Sequence, residues 1–347
     1  MPRETDQSAV VAVRALGAPP WPTLDPFLFC VHHKDNYPEG DARMAPSAAA
    51  LAGRNIGSDF SSKDGWSMYH GDVVPGFPRH PHRGFETITV LRSGLCDHSD
   101  SLGATARFGP GDAQWMTAGS GIVHSEMFPL VNPDQPNPLE LFQLWINLPA
   151  RSKMVPPYFT MFWDAQVPTV RETDREGRAT TTRVVAGAYG DHVPPPPPPD
   201  SWAADPGNHV AVWTVDLEPG AHHTLPPGPA DANRVLYVFQ GTEPRVGGQH
   251  VVTPSAVQIR PGHAVHIVAG EGMVTRILVL QGRPINEPVA SQGPFVMNTR
   301  EELAQAFTDY RRTGFGGWPW SRSDPAHAAD AGRFAVHPDG RRESPKS

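Results

Sequence analysis

From residue 85 to residue 149 the chain is a succession of short β-branched and aromatic runs broken by glycine and proline: FETITVLRSG, TARFGPGD, AQWMTAGSG, VHSEMF and LELFQLWINLP. A second series of the same kind runs from residue 209 to residue 282, as HVAVWTVDLEPG, NRVLYVFQGTEPRVGGQHV, AVQIRPGHAVHIVAG and MVTRILVLQG. Runs this short and this closely punctuated predict antiparallel strands closed into sandwiches or barrels, not alternating strand and helix. The segments FGPGDAQWM and IRPGHAVHI each set a Pro-Gly turn between two strands at about the same place in their series, so the fold reads as duplicated. A length of 347 residues supplies chain for two cores, and 33 Gly with 40 Pro excludes a long-helix bundle.

On this reading residues 1–20 are a lead-in with one weak strand, and 21–164 form the first barrel. Residues 165–207 are a linker with a Pro-rich loop, in which a strand over 181–190 joins a barrel. Residues 208–312 form the second barrel and 313–347 a partly docked tail. The run Pro194–Pro199 is a stiff extended spacer. One helix is predicted late: Thr299 and Glu302 make a capping box, and Leu303, Ala306, Phe307 and Tyr310 follow at helical spacing. A net charge of -7 without a basic run argues against direct nucleic-acid binding. No apolar run of about 18 residues is present to cross a bilayer. The opening MPRETDQSAV lacks the basic-then-apolar order of a signal peptide, which makes a cytoplasmic location the expectation. Cys30 and Cys96 form no Cys-x-x-Cys pair and read as ordinary thiols.

The unusual count is sixteen histidines. In PRHPHRGFETITV, His80 and His82 lie two apart in an extended segment, so both imidazoles point to one face and can reach one metal. GIVHSEMF repeats the spacing with His124 and Glu126. Three neutral nitrogens and one carboxylate make a borderline-hard site, which suits iron(II) first, then manganese, nickel, cobalt or copper, and zinc less. Chance alone gives about one His-x-His pair in a chain this rich in histidine, so context must carry the assignment. In the second series His222 and His223 are adjacent and point to opposite faces, and His263 with His266 does not repair the set. The second barrel is therefore read as metal-free.

HPHRGFETITVL followed by GDAQWMTAGSGIVHSEMF resembles the two motifs of the cupin superfamily and, more specifically, the pirin family. RNIGSDFSSKDGWSMYHG, NPLELFQLWINLPARSKM and GPFVMNTREEL extend the resemblance over about residues 51 to 310. It implies an all-β bicupin, two antiparallel β-barrels of jelly-roll type facing each other with a short C-terminal helix, and a single non-haem Fe(II) held by His80, His82, His124 and Glu126. It also implies a dioxygenase that cleaves quercetin or another flavonol-like small aromatic substrate, with Glu126 both ligand and proton acceptor. Glu86, where many other cupins place their carboxylate ligand, is then a candidate beside the ligands and the runner-up as base. A strand glutamate tied to Arg83 is an equal reading of it. The same resemblance allows an iron-redox-sensing regulator that binds a protein partner, of the transcription co-regulator type. Both functions need the same four ligands.

Overall fold

The computed structural model describes residues 9–345. Among them the chain folds as two compact units that exchange sequence: residues 9–30 with Gln166–Asn286 make one, and Val31–Ala165 with 287–345 the other.

The unit built on Val31–Ala165 has a five-stranded sheet in the order Tyr158–Phe162, Ala113–Thr117, Phe85–Ser93, Asn137–Asn147 and Phe27–Tyr37. A six-stranded sheet runs Arg342–Glu343, Phe334–Val336, Thr105–Phe108, Cys96–Asp100, Ile122–Met127 and Gly76–His82. Neighbours run antiparallel wherever their register is resolved, and the central strands are buried on both faces, which is why FETITV and IVHSEM read as unbroken rather than alternating. Gly76–His82 carries Pro78 and Pro81 and lies at the sheet edge, the position where a strand tolerates residues without an N–H.

The other unit holds a seven-stranded sheet in the order Val10–Ala15, Ser255–Ile259, Asn233–Gln240, Thr275–Gly282, Ala211–Leu217, Ala179–Ala186 and Thr169–Thr173. A four-stranded sheet runs His222–Leu225, Val265–Val268, Arg245–Val246 and Gln249–His250. Its core is aliphatic, with Val215, Leu236, Val257, Ile267 and Val279 fully buried. The two echoed turns match in geometry. Gly111 (φ 85°) and Gly262 (φ 75°) each follow a proline in the left-handed region, as the third residue of a Pro-Gly turn requires.

The lead-in holds the strand Val10–Ala15, and two expected boundaries differ. Val10–Ala15 pairs with Ser255–Ile259 as an edge strand, so the lead-in contributes to a sheet, while residues 1–8 of it lie outside the described residues. Thr169–Thr173 and Ala179–Ala186 form a hairpin of the seven-stranded sheet; a strand over 181–190 is expected to join a barrel, whereas Thr169–Thr173 falls where a linker is expected. Its outer strand is polar because it is an edge exposed along most of its length, and polarity at an edge imitates a loop. From residue 287 the chain belongs with the first barrel, where the second had been expected to continue to 312. Helix Arg300–Thr313 has the anticipated capping box, Glu302 N–H to Thr299 Oγ1 at 3.1 Å and Thr299 N–H to Glu302 Oε2 at 2.9 Å. Its Leu303 and Ala306 pack with Val123, Phe295 and Phe315. The tail docks through Arg107, a fully buried guanidinium that grips Asp97 with two bonds of 2.7 Å and donates to the carbonyls of His327 and Ala328.

Candidate metal centre

His80 and His124 are cross-strand partners, and His82 lies opposite Ile122. Same-face spacing on both strands then brings three rings together, with centroids 4.4 Å apart for His80 and His124, 4.8 Å for His80 and His82, and 4.9 Å for His82 and His124. One nitrogen from each ring lies within 4.8 Å of the others. The chain fixes which nitrogen is free. His80 Nδ1 is 2.9 Å from the Pro78 carbonyl and His82 Nδ1 is 3.3 Å from that of Pro294. A carbonyl only accepts, so each Nδ1 carries the proton and each Nε2 keeps a lone pair.

His124 is fully buried, and neither of its ring nitrogens has a hydrogen-bond partner. A buried imidazole left so is costly unless something else meets it. Burial pushes His80 down to about 4 and holds His82 and His124 well below the ordinary histidine range, with the neighbouring imidazoles adding to the shift. All three are neutral at pH 7, the state a ligand needs. Three convergent neutral imidazoles fit a divalent first-row transition ion.

Glu126 stands two residues from His124 but outside the group of three. Thr89 Oγ1 donates to its Oε1 at 2.8 Å and Gln143 Nε2 to its Oε2 at 2.7 Å. Burial raises its pKa, partly offset by these bonds and by His98. Thr89 and Gln143 are cross-strand partners of one another, so the carboxylate is steadied from the facing sheet. Glu86 lies one position out of phase with Thr87 and Thr89 and therefore points to the other face of its strand. There it accepts from Thr117 Oγ1 at 2.7 Å, its own cross-strand partner. Arg83 binds Asp309 at 2.9 Å and the Ser120 carbonyl at 2.7 Å.

Gln114 and Met116 share the inner face with Thr89 and Thr87, whereas Thr117 goes with Glu86. The Thr87 hydroxyl and Gln114 Oε1 are buried there without partners, so the barrel interior presents polar atoms as well as the three rings. His98 is a participant that motif spacing does not single out. It lies opposite Glu126, contacts Asp100 at 3.1 Å and Gln114 at 3.2 Å, and its ring is 5.5 Å from that of His124. The alternation His98, Asp100 in CDHSD was the available signal. The Pro294 carbonyl behind His82 lies more than two hundred residues away in sequence, and nothing local announces it.

Elsewhere His70 is exposed, with Nδ1 on the Gly57 carbonyl. His32 pairs with Glu140, and His33 with the Tyr69 hydroxyl. Both cysteines are buried thiols. His222 is exposed and His223 buried, as adjacent strand residues must be, and His222 meets His266 on the outer face at 3.2 Å. Among the described residues no other group of three metal-binding side chains occurs, and no helix is long and apolar enough to cross a membrane.

Residues 12–146 match the family described as Pirin and residues 212–316 the Pirin C-terminal cupin domain. A Pseudomonas aeruginosa protein with the provisional name quercetin 2,3-dioxygenase is 39% identical over 242 residues, covering 69% of this chain and 79% of that one. Human pirin is 33% identical over 253 residues, covering 72% and 80%. Among solved structures, that of quercetin 2,3-dioxygenase from Acinetobacter baumannii superposes with a TM-score of 0.67 at 29% identity, over 84% of this chain and 86% of that one.

Proposed function

The chain belongs to the pirin family, and from that premise we propose that it is a non-haem iron dioxygenase of flavonol-like enediols, of the quercetin 2,3-dioxygenase type. The ligands are His80, His82, His124 and Glu126. The observation that carries the reading is His124, buried with both ring nitrogens unpartnered inside a group of three neutral imidazoles. The names of the Pseudomonas and Acinetobacter relatives support the reaction class.

A ferrous ion held there supplies Lewis acidity toward a hydroxy-ketone and one-electron chemistry with dioxygen. The chain supplies the rest. Glu126, its basicity raised by burial, accepts the substrate hydroxyl proton, and Thr89 and Gln143 hold its two oxygens so that it meets that proton in one orientation. The Thr87 hydroxyl can donate to a substrate oxygen, and Gln114 Oε1 can accept from a substrate hydroxyl. Phe85 and Trp145, with ring centroids 4.2 Å apart beside His82, form an aromatic wall for a flat ring system.

Iron-loaded protein in air should bleach quercetin with equimolar oxygen uptake and release of carbon monoxide. Glu126→Gln should lower turnover by at least ~100-fold while substrate binding falls far less, since the amide cannot take the proton. No bleaching above a free-iron control, with the site shown full, would remove the enzyme reading and leave the redox-sensing regulator. A pull-down under ferrous and ferric conditions tests that alternative.

A further inference from the structure

The second barrel carries a buried charge that its own residues do not neutralise. Arg234 is 3% exposed and faces the aliphatic core, because it lies opposite Gln281 on a strand whose Leu236 and Val238 belong to that core. Its Nε donates to Gln281 Oε1 at 2.8 Å, its Nη2 donates to the same oxygen, and its Nη1 donates to the Pro226 carbonyl at 2.6 Å. All these acceptors are neutral. Among the described residues no carboxylate lies within ion-pairing distance of the guanidinium. A guanidinium has five N–H donors, so one hydrogen on Nη1 and one on Nη2 remain, enough for a fork on a carboxylate.

Aromatic and polar side chains surround the guanidinium. Trp213 forms one wall, with the guanidinium carbon 5.7 Å from its ring and Tyr189 standing edge-on to it at 5.2 Å. The Tyr189 hydroxyl donates to Glu172 at 3.0 Å and lies 3.3 Å from His223 Nε2, so a second polar cluster adjoins the aromatic pair. The loop Pro226-Pro227-Gly228-Pro229 closes over the guanidinium. A Cβ at Gly228 would come within 2.7 Å of Gln281 Oε1 and 2.9 Å of Arg234 Nη2, so the loop backbone lies against the guanidinium and its acceptor. Burial pulls the Arg234 pKa down to about 10, which leaves it charged at neutral pH and in want of a counter-ion.

We propose that the second barrel is a binding site for a small organic carboxylate, held by the free fork of Arg234 against the face of Trp213. The barrel without a metal is then a ligand-sensing or substrate-accessory module in its own right, and this holds whether or not the first barrel is a dioxygenase.

The test is thermal unfolding of the full chain titrated with sodium acetate, succinate and benzoate, against sodium chloride at equal ionic strength. At least one carboxylate should raise Tm by about 5 °C at a hundredfold excess over its Kd, with chloride without effect. Arg234→Met should abolish the response, and Arg234→Lys, which keeps the charge but loses the fork, should weaken binding about tenfold. The lysine variant decides the question if the methionine variant does not fold. A wild-type Tm indifferent to all three carboxylates, an equal response to chloride, or wild-type affinity in either variant would overturn the proposal.

Discussion

The two barrels use the same strand-turn-strand grammar and the same residue type to opposite ends. In the first, the edge pair Gly76–His82 and Ile122–Met127 turns His80, His82, His124 and Glu126 inward. In the second, the edge pair His222–Leu225 and Val265–Val268 turns His223, Leu225, Val265 and Ile267 inward, while His222, Thr224 and His266 face out. Because the side-chain period of a strand is two, a single residue of phase decides whether a histidine reaches the interior or the solvent. That three imidazoles converge in one barrel and, among the described residues, none do so in the other thus turns on spacing, not on histidine count.

The largest test of that contrast is metal affinity. His80→Ala or His124→Ala should lower iron affinity by at least ~100-fold, since one of three imidazoles is lost from a site that is otherwise buried. His222→Ala and His266→Ala should change it less than about twofold. Equilibrium dialysis followed by elemental analysis measures both, and equal losses from the two pairs would erase the distinction.

Acid should separate the barrels next. In metal-free protein, burial holds His33 down to about 3 and His80 to about 4. The folded state therefore binds fewer protons than the unfolded one between those values and pH 6.5, and stability is lost as pH falls through that window. At pH 5 the loss is on the order of 2 kcal/mol for each. Asp35 opposes it. Burial raises its pKa to about 6, so its contribution grows as pH falls below 6, by on the order of 1 kcal/mol at pH 5. Among the described residues His223 is the one histidine of the second barrel held low by burial, beside a carboxylate that pulls the other way. Hydrogen exchange at pH 7 and pH 5, corrected for intrinsic rates, should show protection falling first in Val31–Ala165. Loss confined to the second barrel would contradict the assignment.

Much of this was legible in the chain. His-Pro-His and His-Ser-Glu declare their common faces through spacing alone, and the Pro-Gly turns mark the duplication. What stayed hidden is non-local. The carbonyl that orients His82 belongs to Pro294, and the helix capped by Thr299 serves the first barrel because Phe295 and Leu303 pack with Val123. A one-dimensional pattern does not say which of two similar sheets a returning segment will cover. Thr169–Thr173 was illegible for another reason, since an edge strand with little to bury carries almost no hydrophobic period.

That return segment gives a smaller test. Thr299→Ala removes the acceptor for the Glu302 N–H and half of the capping box, which costs about 1 kcal/mol. If the helix serves the first barrel, denaturant unfolding should show the loss in the transition that includes Val31–Ala165, with the other unit unmoved.

The smallest expected effect sharpens the contrast inside the first barrel, between its two candidate glutamates. Glu126 faces inward with the histidines, whereas Glu86 occupies the other face of its strand and accepts from Thr117. Glu86→Gln keeps an oxygen for the Thr117 hydroxyl, so stability should fall by no more than about 1 kcal/mol. Because its side chain points away from the three imidazoles, iron affinity and turnover should both stay within about twofold of wild type. Glu126→Gln should move turnover at least fiftyfold further than Glu86→Gln does. Should Glu86→Gln instead suppress turnover as strongly while leaving iron bound, the proton acceptor would have to be reassigned. The face of the strand would then not be what selects it.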